Sequence, residues 1–187
     1  MRVSPVAFLN YRSPFELDKL AAQAAAITHG HPLGYLPAAL LVHIIHKAIF
    51  ENESGRPLSE LINESIGEFS ETFSSAPYLG DLLSLVSKAV ELSLNGKDDI
   101  DNVSSLGEGW VAEETLAIAI YSVLRHCDDF SAALIAAVNH SGDSDSTGAV
   151  AGNILGAYLG DSGIDAKWKD HLELYDLICK TAAGFRI

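Results

Sequence analysis

Residues 139–160 read NHSGDSDSTGAVAGNILGAYLG. A glycine, Gly142, leads into five consecutive oxygen-bearing side chains: Asp143, Ser144, Asp145, Ser146 and Thr147. An apolar segment with glycine at 148, 152, 156 and 160 follows, and this four-residue spacing puts the glycines on nearly one stripe of a helix. Each interior glycine costs a helix about 0.8–1 kcal/mol relative to alanine, so something packs close along that stripe, either another helix or a ligand. A carboxylate at a helix N-terminus is favourable by capping and by the macrodipole, so Asp143 and Asp145 could be caps alone. Two carboxylates two residues apart, followed at once by hydroxyls, exceed what one cap needs, and like charges this close repel unless a cation neutralises them. Hard oxygen donors at this density suit a hard divalent cation. On pattern alone, cation binding and a solvated, capped turn both stay open. An EF-hand calcium loop does not fit. Asp143, Asp145, Thr147 and Gly148 match its first half, but the bidentate glutamate that should close it is Ile154.

Outward from that segment the chain reads as helical, with no strand alternation. Ser13-Pro14 opens a first helix that stops near Gly30, and a second runs from about 36 to 52. A third starts near Pro57, with Leu58, Leu61, Ile62, Ile66, Phe69 and Phe73 on one face. Its opposite row, Glu60, Glu64, Glu68 and Glu71, reads as a solvated face. A fourth covers about 78–95, with Gly96 as its stop. Residues 97–109 form the longest polar connection. Helices follow over about 111–126, from Asp128 or Asp129 to about 140, over 146–159 and over 166–183. His43 and His46, three apart on an apolar helix, read as core or surface histidines. The expected fold is all-α: one domain over residues 1–187, a helical bundle with short connections.

The 187 residues are 48% hydrophobic and 20% charged, the composition of a globular domain large enough for a real core. The formal net charge of −13 argues against a nucleic-acid-binding face. An anionic ligand would need a local positive feature, such as a metal ion or a helix N-terminus. Cys127 and Cys179 have no metal-ligand spacing and read as two buried free thiols in a reducing cytoplasm. The N-terminus lacks a signal peptide's apolar core, and no uninterrupted apolar run reaches membrane-spanning length.

Four stretches together resemble the ADP-ribosylglycohydrolase family. Asn139–Gly160 is similar to its C-terminal signature. Met1-Arg2-Val3-Ser4-Pro5 resembles the end of its GNGAxMR segment. Thr28-His29-Gly30-His31-Pro32 with Gly34-Tyr35 resembles its TH turn. Leu106-Gly107-Glu108-Gly109-Trp110-Val111-Ala112-Glu113-Glu114, with Tyr121, looks like its LGxGWVAEE helix start.

The resemblance implies a helical bundle of the family's type and a glycosidase that cleaves the bond joining ADP-ribose to an acceptor. It implies a binuclear magnesium or manganese centre, with Asp143, Asp145 and Ser146 as metal ligands. Ser146 stands where many members carry threonine. Thr147 and His140 would support those ligands, and His29, Gly107, Gly109 and Trp110 would line the ADP-ribose pocket. The family's N-terminal helices, with their GDALG-like and TDDT-like segments, have no counterpart here, so only half of the metal site is expected. The expected partners are an ADP-ribosylated protein or a small ADP-ribosyl compound, with a second copy or a complementing N-terminal half. The rival expectation is a non-catalytic helical binding or structural module, and an isolated chain of either kind is expected to be inactive or weakly active.

Overall fold

A computed structural model describes residues 1–9, 13–52 and 55–185. Among them lie nine α-helices and no strand: α1 (Pro14–Ala26), α2 (Pro32–Phe50), α3 (Leu58–Thr72), α4 (Leu79–Ser93), α5 (Asp99–Leu106), α6 (Ala112–Arg125), α7 (Phe130–Val138), α8 (Ser144–Leu159) and α9 (Tyr175–Ala182). Two of them form the centre. In α6 the seven residues from Ala117 to Val123 all have 0% exposure, and in α2 Leu36, Ala39, Leu40, Val42 and Ile44 do. A helix buried on every side is apolar nearly all round, as both sequences are apart from His43 and Lys47 in α2. α1 and α3 pack on α2, α4 packs on α6, and α8 lies against both central helices with α7 on its outer side. By length and composition α2 could cross a membrane, with 19 residues and a mean hydropathy of 1.5, but 61% of it is buried inside the bundle.

The start of α2 four residues earlier than expected has a simple cause. Pro32 occupies the first helical turn, and His31 caps it by accepting the Leu33 N–H on Nδ1 at 3.2 Å. The polar connection over 97–109 contains α5. Asp98 caps that helix by accepting the Ile100 N–H at 2.9 Å. α5 is anchored by a buried polar knot. The Tyr121 hydroxyl donates to Asp99, the Asn102 amide donates to Tyr121 at 3.1 Å, and His126 Nε2 meets Asp99 at 2.8 Å. Burial and then the Asp99 carboxylate push the Tyr121 phenol up to about 12. The anchor matters because α5 runs straight into Gly107.

The acidic row of α3 is exposed, as its spacing suggests, but two of its members also reach buried charges on α2. Glu68 and Glu64 lie 2.9 and 3.3 Å from the ammonium of Lys47, whose side chain is only 3% exposed. Glu68 also reaches His43 Nε2 at 3.1 Å. His43 Nδ1 in turn meets the carboxylate of Asp18, a residue with 0% exposure, at 2.9 Å. Two charges carried deep into α2 need carboxylates from the neighbouring helices, because a buried ion without partners is costly. Half of the glutamate row supplies them.

The expected last helix over 166–183 is broken. Short 3₁₀ turns cover Asp161–Gly163 and Ala166–Trp168, and α9 begins only after Leu174, which sits at φ 60°. No residue of α9 is buried. Without burial of an apolar face, helical propensity alone does not hold one long helix together.

Candidate active site

Two stretches distant in sequence meet at backbone level. The loop between α5 and α6 lies directly on the loop that enters α8. The Asp143 N–H donates to the Glu108 carbonyl at 2.8 Å. A Cβ on Gly142 would stand 1.8 Å from that same oxygen, so no side chain fits there. Gly109, at φ +77°, passes so close to α8 that a Cβ would lie 2.8 Å from the Thr147 methyl. Glu114 holds the loop from the first turn of α6. Its Oε2 accepts the N–H groups of Glu108 at 3.1 Å and Gly109 at 3.0 Å. Gly107, at φ +130°, has no room for a Cβ because that carboxylate lies over it.

At the mouth of α8, Asp143 makes no ordinary capping bond. Its carboxylate accepts instead from the Ser146 hydroxyl at 2.7 Å, and the same hydroxyl lies 3.4 Å from Asp145. The Asp143 carboxyl is held below the usual carboxylate range, first by Asp145 and then by Ser146. The cluster therefore presents negative charge. Behind it, the Gly142 N–H donates to His140 Nδ1 at 3.1 Å, which in the neutral ring leaves the proton on Nε2. Nε2–H donates to Thr147 Oγ1 at 2.9 Å, and that hydroxyl donates to the Ala137 carbonyl at 2.7 Å. Thr147 has 0% exposure. Thr147→Val keeps the shape and strands both partners, so it is expected to cost about 1–3 kcal/mol in urea unfolding.

Both loops open onto a cavity of about 870 Å³. Three helix N-termini reach it: α2 through Leu33 and Gly34, α6 through Ala112 and Glu113, and α8 through Asp143 and Ser146. Those of α6 and α8 already carry carboxylates, so the first turn of α2, which has no acidic residue, is where a chain of net charge −13 favours an anion. Of the residues singled out by sequence, Asp143, Ser146, His29, Gly109 and Trp110 line the cavity. Trp110 stands at its rim, 67% exposed. Asp145 points to solvent beside it, while Gly107, His140 and Thr147 lie behind the wall and shape it.

Three further ionisable side chains line the cavity: Arg2, His31 and Glu113. Burial raises the Glu113 carboxyl above its usual value, and the His31 ring acts in the opposite direction. All three lie inside the stretches that carry the family resemblance, Arg2 in Met1–Pro5, His31 in Thr28–Pro32 and Glu113 in Leu106–Glu114, but nothing local marks them as facing a cavity. The glycine stripe of α8, by contrast, faces α7 and the turn after α8, and only Gly148 is tight. A Cβ there would lie 2.7 Å from Val138, against 3.7 Å at Gly152 and Gly156.

The oxygen cluster fits a hard divalent cation in kind. Two carboxylates and a hydroxyl are the donors such an ion takes. They fall short in number, because six ligands complete the shell of a magnesium ion. Among the described residues no group of three or more His, Cys, Asp or Glu converges to hold a metal.

An all-α bundle with an acidic-hydroxyl cluster on the wall of a cavity is the class of protein these features define. The profile of the ADP-ribosylglycohydrolase family matches residues 1–186, and the chain belongs to that family. It is 30% identical over 203 residues to the ADP-ribosylhydrolase ARH3 of Gallus gallus, covering 97% of this chain and 54% of that protein. The human ARH3 is 28% identical over 196 residues, covering 94% of this chain and 53% of the relative. The ADP-ribosyl-[dinitrogen reductase] glycohydrolase of Rhodospirillum rubrum is 27% identical over 177 residues, covering 93% and 49%. The chain thus spans about half the length of these relatives.

Proposed function

We propose that this chain forms the ADP-ribose-binding part, and half of the cation site, of an ADP-ribosylhydrolase that cleaves the bond between ADP-ribose and an acceptor. The acceptor is an ADP-ribosylated protein or a small ADP-ribosyl compound. The observation that carries the reading is the meeting of Asp143 and Ser146 with Gly109 and Trp110 on one cavity wall. Asp143, Asp145 and Ser146 would hold magnesium or manganese, and the ion, when bound, supplies positive charge beside the sugar. The other roles fall to this chain's own groups. Arg2 and the first turn of α2 receive the diphosphate, and Trp110 offers a flat apolar face. His140 and Thr147 fix the loop from which Asp143 projects. The remaining cation ligands would come from a complementing half or a second copy. Cys127 is half-buried and Cys179 exposed, where both were expected to be buried, and as free thiols they accord with a cytoplasmic setting.

Calorimetric titration of the chain with manganese and, separately, with ADP-ribose tests this. Weak binding of both is expected. The double substitution Asp143→Asn, Asp145→Asn should lower manganese affinity at least about tenfold, since even indirect partners of metal ligands are worth that much. Heat from neither ligand would favour a second reading, a non-catalytic module that kept the fold. The shortage of converging metal ligands is the feature that keeps this second reading in view.

A further inference from the structure

The cavity is lined by two chemically opposite sets of groups. One is formed by Arg2, His29, His31 and the first turn of α2, a turn with no acidic residue. The other is formed by the first turns of α6 and α8, and both of these already carry carboxylates. Glu113 and Glu114 sit in the first turn of α6, and Asp143 and Asp145 sit at the start of α8. Of the two glutamates, Glu114 is spent on the backbone of Glu108 and Gly109. Glu113 is not tied to another residue among the described hydrogen bonds, and it lines the cavity next to Trp110 and Val111. The Tyr78 ring packs on His31 with centroids 4.9 Å apart, which fixes the imidazole.

Resting on the function proposed above, we infer that Glu113 is a specificity-determining residue: it reserves the α6 part of the cavity for hydrogen-bond donors, such as sugar hydroxyls, and repels a second anionic group there. A ligand with one anionic segment and one hydroxyl-bearing segment can then be seated only one way round. The anion goes against Arg2 and the donors go against Glu113. A carboxylate accepts from hydroxyls and cannot donate to a phosphate. A like charge brought to the same place meets a penalty that water does not fully screen.

The test compares two probes on the intact chain at pH 7.5. ADP-ribose carries a sugar beyond its diphosphate, and ADP ends in a terminal phosphate. Dissociation constants are measured for the wild type, Glu113→Gln and Glu113→Ala, with thermal midpoints as the folding control. The wild type should prefer ADP-ribose. In Glu113→Gln, which keeps an acceptor and drops the charge, ADP binding should tighten at least about fivefold, the scale of one unit-charge repulsion at contact distance in water, while ADP-ribose changes little. In Glu113→Ala, ADP-ribose should weaken and ADP should not. A parallel change for both probes, or none in either variant, overturns the role of Glu113 and leaves the proposed function standing. Failure of the wild type to bind either probe overturns both.

Discussion

Asp18→Ala is expected to destabilise the fold by about 3–5 kcal/mol, the usual cost of removing one partner from a buried ion pair. In a domain of this size that corresponds to a fall in Tm of roughly 10 °C. Asp18 has 0% exposure and His43 4%, so neither water nor a neighbouring side chain can replace the lost carboxylate. The effect should carry a pH signature. Burial alone would push the His43 imidazolium pKa down, but the Asp18 and then the Glu68 carboxylates outweigh it, and the net direction is up from 6.5. The stabilisation from this raised pKa is fully present below about pH 6.5, the unfolded value, and is lost as pH rises through the folded one. Glu68 works the other way. Burial would raise its carboxyl, but Lys47 and His43 hold it below 4.5, so its contribution is lost as pH falls through that lower value. Urea unfolding of wild type and Asp18→Ala should therefore differ most at pH 5.5–6.5 and converge in the alkaline range. Asp18→Asn, which keeps an acceptor without charge, should cost less and flatten the curve. A cost below 1 kcal/mol, or a difference that does not change with pH, would show that the His43 pair is not the clamp.

That clamp marks where the sequence stopped being informative. The apolar stripe of α3 is periodic, so its existence and buried face could be read directly. The oxygen cluster was legible for a related reason: five neighbouring side chains carry its chemistry without help from the fold. The glutamate row of α3 looked like any solvated face, because its partners His43 and Lys47 lie 21–25 residues away on a helix that reads as pure core. Glu113 and Arg2 escaped for the same reason. Whether a polar residue beside a motif faces a cavity depends on three helix termini converging, and no local pattern encodes that. The segment after Gly160 reads as one helix by propensity, but it is broken where nothing packs against it.

The glycines inside and around the motifs separate sharply by what a methyl group would meet. Gly67, in the middle of α3, has nothing within 4 Å of the place a Cβ would take, so Gly67→Ala should be neutral or stabilising by up to about 1 kcal/mol. Gly142 is the opposite case. A Cβ there would lie 1.8 Å from the Glu108 carbonyl oxygen, 2.6 Å from its carbon and 2.8 Å from its Cα. All three atoms are backbone, and no rotamer change relieves the overlap. Gly142→Ala must therefore part the two loops and break the 2.8 Å bond from the Asp143 N–H to Glu108. Overpacking of this kind costs about 1–3 kcal/mol, and the lost hydrogen bond adds about 1 kcal/mol. The functional cost should be larger than the thermal one. Asp143 and Ser146 on one loop, and Gly109 and Trp110 on the other, form a single wall only while the loops stay in register. ADP-ribose affinity of the folded variant should fall more than about tenfold, because ångström-scale misplacement of a binding group is expensive. Calorimetry on Gly142→Ala beside Gly67→Ala decides it. Retained ADP-ribose binding in a folded Gly142→Ala chain would mean that contact between the loops does not build the site.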